Sequence, residues 1–129
     1  MKAVTEWFNK QRGYGFIVDL DSKKDLFVHQ SNIKMKGFRY LNEDDIVNYD
    51  VGTSKDGREQ AVNVVPILTK EMIEDSLREE KLYIKTVKVN NITKYIVVDV
   101  NNALQTNESG MSFLDLAAFA GFDIEGLSA

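Results

Sequence analysis

Two short runs of the chain carry flat side chains at strand spacing. In Arg12-Gly13-Tyr14-Gly15-Phe16-Ile17, strand alternation puts Tyr14 and Phe16 on one face, with Gly13, Gly15 and Ile17 on the other. In Leu26-Phe27-Val28-His29, Phe27 and His29 share one face while Leu26 and Val28 point the opposite way. If the two runs pair antiparallel through the turn at 21–24, the four flat groups form one platform. Turning that platform inward would leave glycines and aliphatics outside, an inversion of normal patterning. An exposed aromatic row marks a binding surface, and nucleobases are its natural complement: each base stacked on a ring contributes about 1–3 kcal/mol with little dependence on base identity. Lys10, Arg12 and Lys36 stand where they can meet phosphates.

Other chemistries find little support. His29 is the only histidine and there is no cysteine, so neither a zinc site nor a nucleophilic triad has its parts. Asp19, Asp21 and Asp25 lack the glycine and distal glutamate of a calcium loop and read as a solvated turn. No cofactor, no metal and no enzymatic activity are expected.

The elements that must hold the platform are short. Strand-like runs rich in aromatic and β-branched residues occupy 3–9, 13–20, 25–30, 46–52 and 59–67, enough for a small five-stranded barrel. Turn signals at 21–24 and 54–57 and a long connection over 31–45 separate them, and Pro66 marks an edge or an end. Beyond lies a different pattern. Thr69 is a plausible N-cap for a helix over 70–81; strands at 82–89 and 94–100 flank Asn90-Asn91 as a hairpin; Ser112 and Asp115 cap a helix over 113–120 that Gly121 stops. The expected architecture is mainly β, an OB-type barrel at 1–67 followed by a small α+β region at 68–129.

Charge sharpens the division. Of 129 residues 28% are charged, with a net of −4. Residues 1–67 hold 10 basic and 10 acidic side chains, and 68–129 hold 6 and 10, so the whole deficit lies in the second half. A protein gripping phosphates over a broad surface needs excess lysine and arginine, so affinity must come mainly from stacking. No apolar run approaches the roughly 18 residues of a membrane span and no signal peptide is visible, which points to a cytoplasmic protein with no membrane partner.

Residues 2–17, KAVTEWFNKQRGYGFI, followed by KKDLFVHQSNI at 23–33, resemble the cold-shock domain family, and the likeness extends through GFRYL at 37–41 and QAVNV at 60–64. The resemblance implies a five-stranded OB barrel that binds single-stranded RNA or DNA, prefers pyrimidine-rich stretches and acts as an RNA chaperone or a regulator of transcription or translation. It places stacking residues at Trp7, Tyr14, Phe16, Phe27, His29 and Phe38, with Asp25 as a hydrogen-bonding partner of a base. Two departures bear on affinity: Glu6 stands where the family has lysine, and Gln30 where many bacterial members have phenylalanine, offering hydrogen bonds to a base edge in place of a ring. Thr5 replaces a core valine. An RRM is excluded by order, since its RNP1 strand is third and only eleven residues precede Arg12.

The second half resembles no family. Its segment FLDLAAFAGF, 113–122, is apolar around most of its circumference, so it either packs on the hairpin and first helix or forms an interface, and a homodimer through 68–129 is the sharper of these expectations. Lys85, Lys88 and Lys94 can extend a nucleic-acid path or simply face solvent. The competing reading of the whole chain is a protein-interaction module that keeps the barrel as a scaffold.

Overall fold

The computed structural model describes residues 1–127, which divide into two compact units, Met1–Lys70 and the segment from Glu71 onward. In the first unit five strands, β1 (Lys2–Asn9), β2 (Tyr14–Asp19), β3 (Asp25–His29), β4 (Ile46–Thr53) and β5 (Glu59–Leu68), close into a barrel in the order β1-β2-β3-β5-β4. The pairs are antiparallel except at β3 and β5, which meet in parallel at Phe27 and Gln60. Pro66 sits inside β5 beside a register shift against β4, and the strand continues to Leu68. The core is assembled from the inward positions of these strands, Ala3, Ile17, Leu26, Val28, Val47, Tyr49, Ala61 and Val64, with Ile33 and Leu41 from the long connection.

Two buried polar groups set the pH response of this barrel. Asp19 closes the β2–β3 turn by accepting the N–H groups of Asp21 (2.9 Å) and Ser22 (2.8 Å), and it accepts the buried Tyr49 hydroxyl across the barrel. The Tyr49 hydroxyl first, then the Ser22 N–H, hold its carboxyl down at about 2. Asp45 accepts Asn42 N–H and Lys70 N–H, both at 2.9 Å, yet burial pushes its carboxyl up to about 6. The signs oppose. Asp19 stabilises the fold above the ordinary carboxyl value near 4, an effect lost as pH falls toward 2; Asp45 favours the fold while protonated, an effect lost as pH rises from about 4 through 6. A thermal melt followed by Trp7, the only tryptophan, should therefore fall below pH 4 in the wild type and stay flatter there in Asp19→Asn. A variant as acid-sensitive as the wild type would remove Asp19 from this account.

Thr5 supplies a second test. It lies buried on β1, and its hydroxyl has no hydrogen-bond partner among the described residues. Thr5→Val keeps the shape and removes that group, so it should stabilise the barrel by about 1 kcal/mol. An unchanged or lower melting temperature would show that the hydroxyl finds a partner in solution.

Helix α1 (Lys70–Arg78), which falls in the second unit from Glu71 on, carries buried Ile73 and Leu77. It ends three residues short of the expected 81 because Lys81 turns left-handed, at φ 59°, and Leu82 N–H closes back on Leu77 C=O. Strands β6 (Tyr83–Val89) and β7 (Ile92–Val98) form an antiparallel hairpin around Asn90 and Asn91, both at positive φ, as the turn requires. Ser112 accepts Asp115 N–H at the start of α2 (Phe113–Phe119), and Phe122 N–H bonds Ala117 C=O beyond it, with Gly121 left-handed between. Phe113, Leu116 and Ala117 are buried while Phe119 is exposed, so α2 has a one-sided apolar contact rather than an all-round one. No helix among the described residues is long and apolar enough to cross a membrane.

Candidate nucleic-acid interface

The register of β2 against β3 places Tyr14 opposite His29 and Phe16 opposite Phe27. Trp7 joins them by a different route. Alternation along β1 would send it inward with Ala3 and Thr5, but the pairing shifts between Thr5 and Trp7, so Thr5 faces Ile17 while Trp7 faces Phe16. This irregularity turns both Glu6 and Trp7 outward and hands the inward position to Phe8, which packs against the core.

The four rings close a quadrilateral. Centroids lie 5.7 Å apart for Trp7 and Tyr14, 5.7 Å for Tyr14 and Phe27, 5.8 Å for Phe27 and Phe16, and 5.5 Å for Phe16 and Trp7. Trp7 is 41% exposed and the other three are half-buried. Each ring is braced by two others, which holds its orientation without hiding its outer surface.

His29 ends β3 and caps the 3-10 turn at Gln30–Asn32: its Nδ1 accepts Ser31 N–H at 3.1 Å and lies 2.8 Å from Ser31 Oγ. A neutral ring in that arrangement carries its proton on Nε2, leaving that N–H as the donor to a ligand. Gln30 N–H bonds Gly13 C=O (2.8 Å), tying the turn to the start of β2.

Asp25 opens β3 beside Phe16 and Phe27, and with Arg58, Glu59 and Gln60 these line a cleft of about 610 Å³ at one end of the platform. A second hollow, of about 370 Å³, lies between His29, Gln30 and Ser31 on one side and Gly37, Phe38 and Arg39 on the other. The structure therefore gathers Trp7, Tyr14, Phe16 and Phe27 in one four-ring cluster, sets Asp25 at its edge, and joins His29 and Gln30 to Phe38 through the second hollow. Lys10 and Arg12 are exposed in the β1–β2 turn, where Asn9 Oδ1 accepts Arg12 N–H (2.9 Å). Lys36 is exposed in the long connection.

Sequence reasoning passed over Tyr40. Its ring lies 5.7 Å from that of Phe38, and Lys10 Nζ sits 4.4 Å from its centroid. The available signal was an aromatic residue two positions after Phe38 in a segment without strand periodicity.

A family model described as the 'Cold-shock' DNA-binding domain matches residues 1–67. Glycine-rich protein 2 of Nicotiana sylvestris is 48% identical over 63 residues, which are 49% of this chain and 29% of that protein. Protein lin-28 of Caenorhabditis elegans is 47% identical over 53 residues, 41% of this chain and 23% of that protein. Cold shock-like protein CspJ of Salmonella typhimurium is 44% identical over 65 residues, 50% of this chain but 91% of that protein. The chain thus spans under a third of the plant relative and nearly the whole of the bacterial one, and the family match ends at residue 67.

Proposed function

The chain belongs to the cold-shock domain family through residues 1–67, and from that premise we propose that its barrel binds single-stranded RNA or DNA by stacking successive bases on Trp7, Tyr14, Phe16 and Phe27. Nucleic-acid binding belongs to the family; the stacking mode, a preference for pyrimidine-rich strands and a role as RNA chaperone or regulator are the finer reading. The observation that carries it is the closed quadrilateral of partly exposed rings, with centroids 5.5 to 5.8 Å apart on one face. His29 Nε2–H, Gln30 and Asp25 then supply hydrogen bonds to base edges, and Lys10, Arg12 and Lys36 meet phosphates. Nothing in this mode requires bond making or breaking, and the protein acts by binding alone.

Trp7 reports on the reading directly. Titration of the full chain with a short oligo(dT) or oligo(U) should quench its fluorescence, and the slope of log K against log salt should be shallow, on the order of −1 to −2, because no more than the three cations Lys10, Arg12 and Lys36 meet phosphates and each contributes about −0.7 on a single strand. A Trp7 signal that does not respond to any oligonucleotide would favour a barrel kept as a scaffold for protein contacts.

The second unit is proposed to mediate self-association or partner contact. Its support is apolar surface left open on the hairpin and beyond it, with Ile92 57% and Val100 63% exposed. Sedimentation of the full chain as a monomer over the micromolar range would overturn the homodimer.

A further inference from the structure

The hairpin of the second unit has one covered edge and one open edge. Along its outer side β7 is tied to the chain that follows it: Met111 and Tyr95 exchange backbone bonds (2.9 and 2.7 Å), Gln105 N–H bonds Val97 C=O (2.8 Å), and Thr106 Oγ1 accepts Val97 N–H (3.1 Å). Tyr95 and Val97 therefore turn their backbone groups away from β6. Directly opposite residues of an antiparallel ladder share that choice, so their register partners Thr86 and Ile84 turn away from β7, and Lys88, next in the alternation, does the same. β6 pairs with β7 alone, and the outward N–H and C=O groups of Ile84, Thr86 and Lys88 have no partner among the described residues.

Charge selects what this edge accepts. Residues 81–98 contain Lys81, Lys85, Lys88 and Lys94 and no acidic side chain, although 68–129 as a whole hold 6 basic and 10 acidic ones. Lys85 and Lys88 are exposed, lie on opposite faces of β6, and meet no carboxylate among the described residues. A second copy of β6 brought edge to edge would set these lysines among their own kind, which works against self-pairing. Phosphates would neutralise the lysines but bring no donors to the outward C=O groups. An extended acidic peptide satisfies both the backbone row and the charge.

We propose that β6 is a docking edge for an extended acidic segment of a partner protein, which joins the hairpin as an added strand beside Ile84, Thr86 and Lys88. The proposal rests on the contact role of the second unit and names the partner that fits it. Backbone bonds hold the segment, its carboxylates meet Lys85 and Lys88, and exposed Tyr83 and Val89 offer apolar surface to its other side chains.

The test uses the full chain and a dye-labelled peptide of alternating threonine and glutamate, seven residues long like β6, followed by fluorescence anisotropy. This peptide should bind, and its counterpart with lysine for glutamate should not. Lys85→Gln combined with Lys88→Gln should weaken binding about 5-fold at low salt. Thr86→Pro removes an outward N–H that β7 does not use, so the hairpin should persist by circular dichroism while affinity falls about tenfold. A change in the ligand makes the test independent of folding: N-methylation of the alternate amides that face β6 should lower affinity about tenfold or more, and methylation of the other set should leave it unchanged. Equal affinity of the two methylated peptides would overturn edge pairing, and displacement of the peptide by oligo(dT) would overturn it by assigning the lysines to phosphates. A chain that binds no peptide yet sediments as a dimer loses the docking edge and keeps its contact role, whereas a monomer that binds no peptide loses both.

Discussion

Replacing Phe16 and Phe27 together by alanine should lower affinity for oligo(dT) or oligo(U) on the order of 100-fold while the barrel stays folded. The two rings face each other across β2 and β3, 5.8 Å apart, and form one side of the quadrilateral. Removing both takes away two stacking faces, each worth about 1–3 kcal/mol. It also leaves Trp7 and Tyr14 with one ring neighbour each, so the single and double variants will not combine additively. Stability should change little, because neither ring belongs to the core: the inward positions of the same strands, Ile17, Leu26 and Val28, carry it. Val28→Ala is the mirror experiment. It cuts into a fully buried position and should cost about 2 kcal/mol of stability while the folded fraction binds normally. Unchanged affinity in the double alanine variant would sink the stacking model.

The contrast between Phe16 and Val28 was visible in the sequence because a strand has a period of two, and Tyr14, Phe16, Phe27 and His29 obey it without exception. The same rule misplaces Trp7. Counting along β1 from Ala3 and Thr5 turns it inward, and only the register shift at Glu6 turns it out. A shift of one residue leaves no compositional mark, so periodicity alone could not set Trp7 beside Tyr14 and Phe16, where the structure has it. Tyr40 was invisible for another reason. Its partners, Lys10 and Phe38, come together across a long connection that has no periodicity to read. In the second unit the hairpin was legible from Asn90-Asn91, whose tolerance of positive φ is a property of the residues themselves. The early end of α1 was not, because Lys81 adopts φ 59° with no chemistry that announces it. Asp45 belongs with these hidden features. Within a run of acidic residues it looks like solvated turn, and only the fold shows it buried with Lys70 N–H donating to it, 2.9 Å away.

Gly15→Ala should cost the barrel about 3 kcal/mol, a fall of roughly 10–20 °C in the melting temperature read by Trp7. The reason is space rather than backbone angle, since Gly15 is not among the residues at positive φ. A Cβ built on it would lie 2.2 Å from Trp7 C=O and 2.7 Å from Phe8 Cα. Both are backbone atoms of β1, so no side-chain rotation relieves the clash and the two strands would have to part. They would part where Trp7 turns outward, next to the register shift that sets it against Phe16. The lost stability therefore comes with a lost function: at a temperature where Gly15→Ala remains folded, oligo(dT) affinity should fall as well, because the Trp7 side of the quadrilateral is displaced. Gly57→Ala separates this from an ordinary glycine effect. Gly57 has open space around it but a φ of +86°, so alanine there should cost about 1–2 kcal/mol, with binding by the folded protein unchanged. If Gly15→Ala proved no worse than Gly57→Ala, the close approach of β1 to β2 would not be what holds Trp7 against the other rings.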